Sequence, residues 1–287
     1  MPIAYEGVHT ALVTPFTASG EVDRTAYRAL AGRQIAGGVQ GLVAVGTTGE
    51  SPTVKDDEWA GCVEDALAVA DGRVVTAGIG TNDTRSTVKN AERAARLGAH
   101  AGLLVFPYYN KPNPQGLRLH VAEASAVGLP LVLYHVPGRT GQLLPAALLA
   151  ELASMPGVIA VKEATGDVRY GGDLMRRTAT AVLSGDDFSF LPLLGLGAVG
   201  VISVISNVAP AQTVAIWEAH RAGRVEEAAA GMRRLWDLCT FLFSDSNPVP
   251  CKAALAELGL CRPDVRLPLG PYQGPSCRPI LDALGLA

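Results

Sequence analysis

The sequence predicts an α/β fold, a (β/α)8 TIM barrel that is followed by a C-terminal helical appendage. Two patterns predict it: eight short apolar runs rich in Val, Ile and Leu, and longer amphipathic stretches between them. Continuously apolar strands are typical of a parallel sheet covered on both faces, and eight strand–helix units suit a barrel of about 250 residues. A doubly wound open sheet is the alternative, but no predicted strand runs directly into the GxGxxG turn by which such folds bind dinucleotides.

The predicted elements alternate along the first 223 residues and then give way to helices alone. Strands are predicted at residues 8–13, 41–45, 74–79, 101–106, 131–134, 158–162, 181–183 and 200–204. Helices are predicted among and after them at residues 23–36, 55–70, 84–97, 145–155 and 210–222. Beyond them, helices are predicted at residues 225–243, 249–258 and 279–284. We therefore expect a barrel domain over residues 1–223 and a helical region over residues 224–287 that packs on it.

Composition and charge exclude several classes of protein. Apolar residues make up 48% of the 287 residues, and 24 basic against 27 acidic side chains leave a net charge of −3. That balance gives no footprint for nucleic acid, and no apolar run is long enough to span a membrane. The N-terminus lacks a signal-peptide pattern and the five cysteines form no CxxC pair, so we expect free thiols and a cytoplasmic protein. The five histidines lack ligand-like spacing, so no metal is expected.

Catalytic residues of such a barrel lie at the carboxyl ends of the strands, and Lys162 is the first candidate there. It ends the apolar strand VIAVK, whereas the other four lysines lie in helical or loop contexts that can be solvated. Burial lowers the pKa of a lysine, and a neutral lysine amine attacks carbonyl carbons to form Schiff bases. An ion pair with a neighbouring strand is the alternative role.

Tyr134, Thr47 and Thr48 stand at the ends of other predicted strands. Because neighbouring strands lie about 4.8 Å apart, the Tyr134 hydroxyl is expected within reach of the Lys162 nitrogen, where it can move protons. Taken alone, Tyr134 is better interpreted as a core aromatic. Thr47 and Thr48 stand between two glycines, which let backbone N–H groups approach a small carboxylate. An ordinary glycine turn that caps a helix fits that pattern equally well.

Further polar and aromatic residues lie in loops at the same predicted face. Tyr108 and Tyr109 form an aromatic pair, which is more typical of an interface or of packing than of catalysis. Arg139 follows a Pro-Gly pair, and its guanidinium suits a substrate carboxylate as well as a surface salt bridge. His135 lies at this face by position and, as a lone histidine, is interpreted as a packing residue or as a support for site residues.

Together these segments resemble the dihydrodipicolinate synthase / N-acetylneuraminate lyase family of class I aldolase-like barrels, nearly from end to end. Six segments in order carry the resemblance: Gly46-Thr47-Thr48-Gly49-Glu50-Ser51, Pro107-Tyr108-Tyr109-Asn110, Tyr134-His135-Val136-Pro137-Gly138-Arg139-Thr140, Val161-Lys162-Glu163-Ala164-Thr165-Gly166, Ser184-Gly185-Asp186-Asp187 and Gly200-Val201-Ile202-Ser203. No single motif is decisive, but six at corresponding strand ends are specific. His135 departs from the asparagine that is more usual there.

The resemblance implies a Schiff-base mechanism without a metal or any other cofactor. Lys162 is the implied nucleophile towards pyruvate, and Tyr134 the implied proton donor and acceptor. Thr47 is implied to link Tyr134 to Tyr109, which a neighbouring subunit contributes. The implied substrate-binding residues are Thr48, Arg139, Gly185 and Ile202. The implied assembly is a homo-oligomer, either a dimer or a dimer of dimers.

Within this family, three features favour a member that condenses pyruvate with L-aspartate 4-semialdehyde in lysine and diaminopimelate biosynthesis. Thr47 stands where sialic-acid lyases usually have serine, and Arg139 stands where the carboxylate of the aldehyde is bound. The segment Asn247-Pro248-Val249-Pro250-Cys251-Lys252 resembles Asn-Pro-Ile-Pro-Val-Lys of those members. The alternative is a pyruvate-dependent aldolase that acts on a 2-keto-3-deoxy sugar acid. A non-catalytic binder of keto acids is disfavoured, because a binder needs no proton relay.

Overall fold

Eight parallel strands form a closed barrel in chain order. The computed structural model describes residues 5–286. The strands are β1 (Gly7–Ala11), β2 (Gly41–Ala44), β3 (Val74–Gly78), β4 (Ala101–Val105), β5 (Leu131–His135), β6 (Val158–Glu163), β7 (Ala181–Ser184) and β8 (Gly200–Ser203). Each predicted strand has its counterpart, with ends that differ by at most two residues, and the predicted fold class is confirmed.

Helices follow the strands and make up the C-terminal region. They are α1 (Arg24–Ala36), α2 (Asp56–Val69), α3 (Thr84–Leu97), α4 (Pro114–Ser125), α5 (Pro137–Thr140), α6 (Ala146–Ala153), α7 (Val168–Met175), α8 (Phe190–Gly195), α9 (Pro210–Arg221), α10 (Val225–Arg234), α11 (Trp236–Leu242), α12 (Val249–Glu257) and α13 (Arg278–Leu284). The helix predicted over residues 225–243 is divided at Leu235, whose ψ of 0° departs from the value of about −42° that is usual within an α-helix.

The described residues divide into two compact units. The first comprises residues 5–7 and 74–202, and it contains β3 to β7, most of β8 and α3 to α8. The second comprises residues 8–73 and 203–286, and it contains most of β1, all of β2, and α1, α2 and α9 to α13. The C-terminal helices thus belong to the same unit as the first two strands.

The register of β5 and β6 sets the positions of four polar side chains in the first unit. Tyr134 on β5 pairs with Lys162 on β6, and His135 pairs with Glu163. Successive side chains of a strand point to opposite faces of the sheet. Tyr134 and Lys162 therefore share one face, and His135 and Glu163 share the other.

The described residues lack a membrane-crossing helix and a cluster of metal-binding side chains. Within residues 5–286, no helix is long and apolar enough to cross a membrane. Nor do those residues place three or more His, Cys, Asp or Glu side chains together as a metal ion would require.

Candidate active site

Lys162 and Tyr134 form a buried pair on neighbouring strands. Lys162 Nζ lies 4.2 Å from the centroid of the Tyr134 ring. Only 4% of Lys162 and 5% of Tyr134 is exposed. The electron-rich face of a tyrosine ring attracts an ammonium ion at this distance, so the two side chains hold each other in place. The structure thus brings together the two residues that the sequence suggests as nucleophile and proton carrier.

Burial lowers the pKa of Lys162 to about 8, because an ammonium ion loses its hydration in the interior. The negative charge of Asp187 opposes this shift, and the positive charge of Arg139 adds to it. At pH 7, roughly one in ten amines with such a pKa is uncharged, against roughly one in 3,000 for an ordinary lysine. Lys162 is therefore suited to act as a nucleophile near neutral pH.

Gly185 directly follows β7, and because it has no side chain, the Lys162 side chain can pack against it. A Cβ atom at Gly185 would lie 2.8 Å from Lys162 Cγ and 2.9 Å from Lys162 Cε. The Gly185 N–H donates to the carbonyl oxygen of Glu163 over 2.6 Å, so the backbone has little freedom to withdraw. Any larger residue would displace the lysine. The contacts of Gly185 are thus with the predicted nucleophile itself.

Arg139 and Ile202 lie at strand ends of the same unit. Arg139 belongs to α5, a single turn that directly follows β5, and its side chain is exposed. Its positive charge lowers the pKa of Lys162, which makes it an electrostatic neighbour of the amine. Ile202 is the third residue of β8 and only 1% of it is exposed.

Tyr109 does not join the buried pair within its own chain. It is 87% exposed, and its φ of +73° lies in a region that residues with a Cβ atom rarely adopt. The loop is tied down beside it, since Asn110 Nδ2 donates to the carbonyl oxygen of Asn82 over 2.8 Å. A large exposed ring on a strained but tethered loop is typical of a surface that contacts another molecule.

The second unit contains Thr47 and Thr48, in the loop after β2. Thr48 is buried, and its Oγ1 accepts a hydrogen bond from Asn247 Nδ2 over 2.9 Å. Thr47 is half-buried. Gly49 is closely packed, because a Cβ atom there would lie 2.9 Å from Val45 Cα. The hydroxyls of the predicted site residues Thr47 and Thr48 therefore lie on a closely packed loop.

Sequence reasoning missed a buried ion pair in this second unit. Lys252 Nζ lies 2.6 Å from Glu50 Oε1, and the side chains are 0% and 1% exposed. The interpretation of Lys252 as a lysine that can be solvated is wrong, because α12 buries it and Glu50 compensates its charge. No local signal marks the pair, since its members are 202 residues apart.

His135 packs behind the site, on the face of β5 opposite Tyr134. Its ring centroid lies 5.5 Å from that of Tyr170 and 6.2 Å from that of Phe106. Burial lowers the pKa of His135 to about 4, so the ring is neutral at physiological pH. Burial likewise raises the pKa of Glu163, its register partner on β6. The packing interpretation of His135 agrees with these contacts.

Comparisons with known proteins agree with this geometry. The model of the dihydrodipicolinate synthetase family matches residues 4–279. A 4-hydroxy-tetrahydrodipicolinate synthase of Exiguobacterium sibiricum is 46% identical over 269 residues, which are 92% of each chain. The crystal structure of the dihydrodipicolinate synthase of Thermotoga maritima has a TM-score of 0.96 and 39% identity, and the match covers 99% of both chains. The Acinetobacter baumannii dihydrodipicolinate synthase, solved in complex with pyruvate, has a TM-score of 0.94 and 39% identity over 98% of this chain and 99% of its own. The chain therefore belongs to the dihydrodipicolinate synthetase family.

Proposed function

We propose that the protein condenses pyruvate with L-aspartate 4-semialdehyde to 4-hydroxy-tetrahydrodipicolinate, a step in lysine and diaminopimelate biosynthesis. It is a lyase-type synthase of the aldolase class, as its family membership and its relatives' names indicate. The observation that carries the proposal is the buried Lys162, with a pKa lowered to about 8, beside Tyr134. A buried lysine with a lowered pKa is suited to imine chemistry, because its uncharged amine can add to a ketone.

The reaction begins when the uncharged Lys162 amine adds to the ketone carbon of pyruvate and water leaves, which gives an imine. The protonated imine withdraws electrons, so a proton of the pyruvate methyl group is lost and an enamine forms. The enamine carbon then attacks the aldehyde carbon of the second substrate. The amine of that substrate finally displaces the lysine from the imine carbon, which closes the ring and restores Lys162.

Each of these steps moves a proton, and Tyr134 is the proposed donor and acceptor. The Tyr134 ring centroid lies 4.2 Å from Lys162 Nζ. This contact places the tyrosine hydroxyl near the pyruvate carbon that the amine attacks. A positioned general acid–base group of this kind contributes about 10²- to 10⁴-fold to a rate. Thr47 and Tyr109 complete the proposed relay.

Two substrate carboxylates need polar partners in this reaction. Thr48, Gly185 and the backbone of Ile202 are the proposed partners of pyruvate. Arg139, an exposed cation that acts electrostatically on Lys162, is the proposed partner of the semialdehyde carboxylate. The proposed reaction needs no metal ion and no other cofactor, because the imine itself withdraws the electrons.

The choice of acceptor is tested by comparing two reactions of the purified protein. We expect pyruvate to be consumed with L-aspartate 4-semialdehyde, and we expect no release of pyruvate from 2-keto-3-deoxygluconate. Arg139→Met should raise the KM for the semialdehyde about tenfold or more, because a charge-assisted contact is lost, while the KM for pyruvate changes less. Arg169→Met, at an exposed arginine of α7, is the matched control. Rapid sugar-acid cleavage without condensation would identify the protein as the alternative aldolase.

A homo-oligomer, a dimer or a dimer of dimers, is the proposed assembly. Support comes from Tyr109, whose ring is 87% exposed on a loop that the chain itself holds in place. Burying such a ring against a second copy removes apolar surface from water. In that arrangement, Tyr109 enters the site of the partner subunit.

Mixing two defective variants tests this assembly. Tyr109→Phe and Lys162→Ala subunits, each with low activity alone, are expected to regain activity when they are mixed and allowed to exchange. The reason is that one composite site of the mixed dimer lacks both substitutions. Sedimentation of both variants serves as the control for assembly. A fully active wild-type monomer in sedimentation would contradict the proposal.

A cytoplasmic location is proposed from the scattered free cysteines, none of which forms a disulfide among residues 5–286.

The division into a barrel domain over residues 1–223 and a helical region over residues 224–287 also stays a proposal. Within the second compact unit, that helical region contacts the loop that carries Thr48.

A further inference from the structure

The C-terminal region holds the loop of Thr48 at two neighbouring positions. Asn247 Nδ2 donates to Thr48 Oγ1 over 2.9 Å, and Lys252 Nζ lies 2.6 Å from Glu50 Oε1. The partners are 199 and 202 residues apart in the chain, and all four lie in the second unit. We call these four residues the loop anchor.

The backbone of Glu50 needs such an anchor. Its φ of +55° lies in the left-handed region, where a residue with a Cβ atom is strained. Both carboxylate oxygens are bound, since Oε1 meets Lys252 and Oε2 accepts the N–H of Arg266 over 2.9 Å. These contacts stabilise a backbone conformation that glutamate otherwise avoids.

Lys252 is enclosed as thoroughly as its partner. Its Nζ lies 3.9 Å from the centroid of the Phe16 ring, and the guanidinium carbon of Arg266 lies 4.3 Å from the same centroid. A buried ion pair adds little net stability compared with apolar residues of similar size, but it fixes geometry, because a misplaced member becomes an uncompensated charge. The pair is therefore better explained by the conformation it imposes than by stability.

We propose that the loop anchor positions Thr48 for the carboxylate of pyruvate, which makes Asn247, Glu50 and Lys252 positioning residues of the reaction. A hydroxyl has one proton to donate and accepts through its oxygen. Because Asn247 donates to the Thr48 oxygen, the Thr48 proton stays available for a carboxylate oxygen. Lys252 and Glu50 fix the backbone two residues further on. The inference rests on the proposed role of Thr48 in binding pyruvate.

The first test uses Asn247→Ala and two probes, pyruvate and its neutral amide, pyruvamide. Each is trapped on the enzyme with borohydride at subsaturating concentration. We expect trapping of pyruvate to slow by about tenfold, the effect of losing one hydrogen bond to a charged group, and trapping of pyruvamide to change less than twofold. Arg262→Ala, which removes an exposed ion pair with Asp264 from the same region, should leave both rates unchanged. Equal slowing of both probes would indicate a merely structural role and would overturn the proposal.

The second test distinguishes the role of the Lys252–Glu50 ion pair in positioning the loop from the cost of leaving one buried charge without its partner. Lys252→Met leaves the Glu50 carboxylate buried without its cation, so loss of folded protein is the expected result. The double variant Glu50→Gln/Lys252→Met carries no buried charge and is expected to fold. It should still show a KM for pyruvate raised about tenfold, with kcat changed less, because the loop has lost its ion pair. A folded double variant with the wild-type KM would contradict the role of the pair.

The trapping experiment distinguishes an error in this inference from an error in the proposed function. Trapping involves no semialdehyde, so an error about the acceptor leaves its outcome unchanged. A wild-type enzyme that traps no pyruvate would remove the imine mechanism and the inference with it. If the wild type traps pyruvate and Asn247→Ala traps it at the same rate, only the inference is wrong.

Discussion

Lys162→Arg is expected to abolish condensation, with a loss limited only by the sensitivity of the assay. The arginine side chain does not lose its proton in the accessible pH range and forms no imine with a ketone. The measurement is the steady-state rate with saturating pyruvate and L-aspartate 4-semialdehyde, together with circular dichroism to verify the fold. Lys89→Arg, at an exposed position of α3, is the matched control and should keep the wild-type rate.

The environment of Lys162 also predicts how the wild-type rate depends on pH. Burial lowers its pKa from 10.5 to about 8, so the uncharged amine is about 300 times more abundant at pH 7 than for an ordinary lysine. The uncharged amine is the reactive form, so the rate of imine formation should rise with pH and level off above pH 8. Normal turnover by Lys162→Arg would show that another residue forms the covalent bond.

Tyr134→Phe is expected to lower kcat by about 10²-fold or more, the usual contribution of a positioned general acid–base group. The substitution removes only a hydroxyl, and the ring can still pack beside the Lys162 amine, 4.2 Å from the ring centroid in the wild type. Binding of pyruvate should therefore be kept. The measurement is kcat and KM for both substrates at several pH values.

The control for this experiment is Tyr170→Phe. Tyr170 packs against His135 behind the site, and its hydroxyl donates to the carbonyl oxygen of Leu144 over 2.8 Å. Removing that hydroxyl deletes one hydrogen bond, but the hydroxyl takes no part in the proposed proton transfers. We therefore expect kcat to change little. If Tyr134→Phe behaves like Tyr170→Phe, the assignment of Tyr134 as the proton carrier is wrong.

The strands were predictable because parallel strands buried on both faces are apolar along most of their length. The position of Lys162 was predictable for the same reason, since a charged residue at the end of such a strand is conspicuous. The break at Leu235 was not predictable, because the sequence pattern is helical on both sides of it. Only the backbone dihedral angles of this one residue divide α10 from α11.

The loop anchor was beyond sequence reasoning for a different reason. Lys252 stands in an ordinary helical segment, and the charge that compensates its burial comes from Glu50, in the distant loop after β2. Single-residue patterns describe neighbours within a few positions, whereas this contact spans 202 residues. The strain at Glu50 is likewise invisible, because the sequence shows glutamate after glycine and not the positive φ that it adopts.

Borohydride trapping followed by peptide mapping tests whether Lys162 forms an imine with pyruvate. The wild-type protein is incubated with pyruvate, reduced, digested and analysed by mass spectrometry. We expect one N-(1-carboxyethyl) group per chain, on the peptide that contains Lys162. The chain provides its own internal comparison in Lys252, an equally buried lysine that Glu50 holds in an ion pair. An adduct on Lys252 in place of Lys162, or a wild-type protein that acquires no adduct, would show that Lys162 does not form the imine.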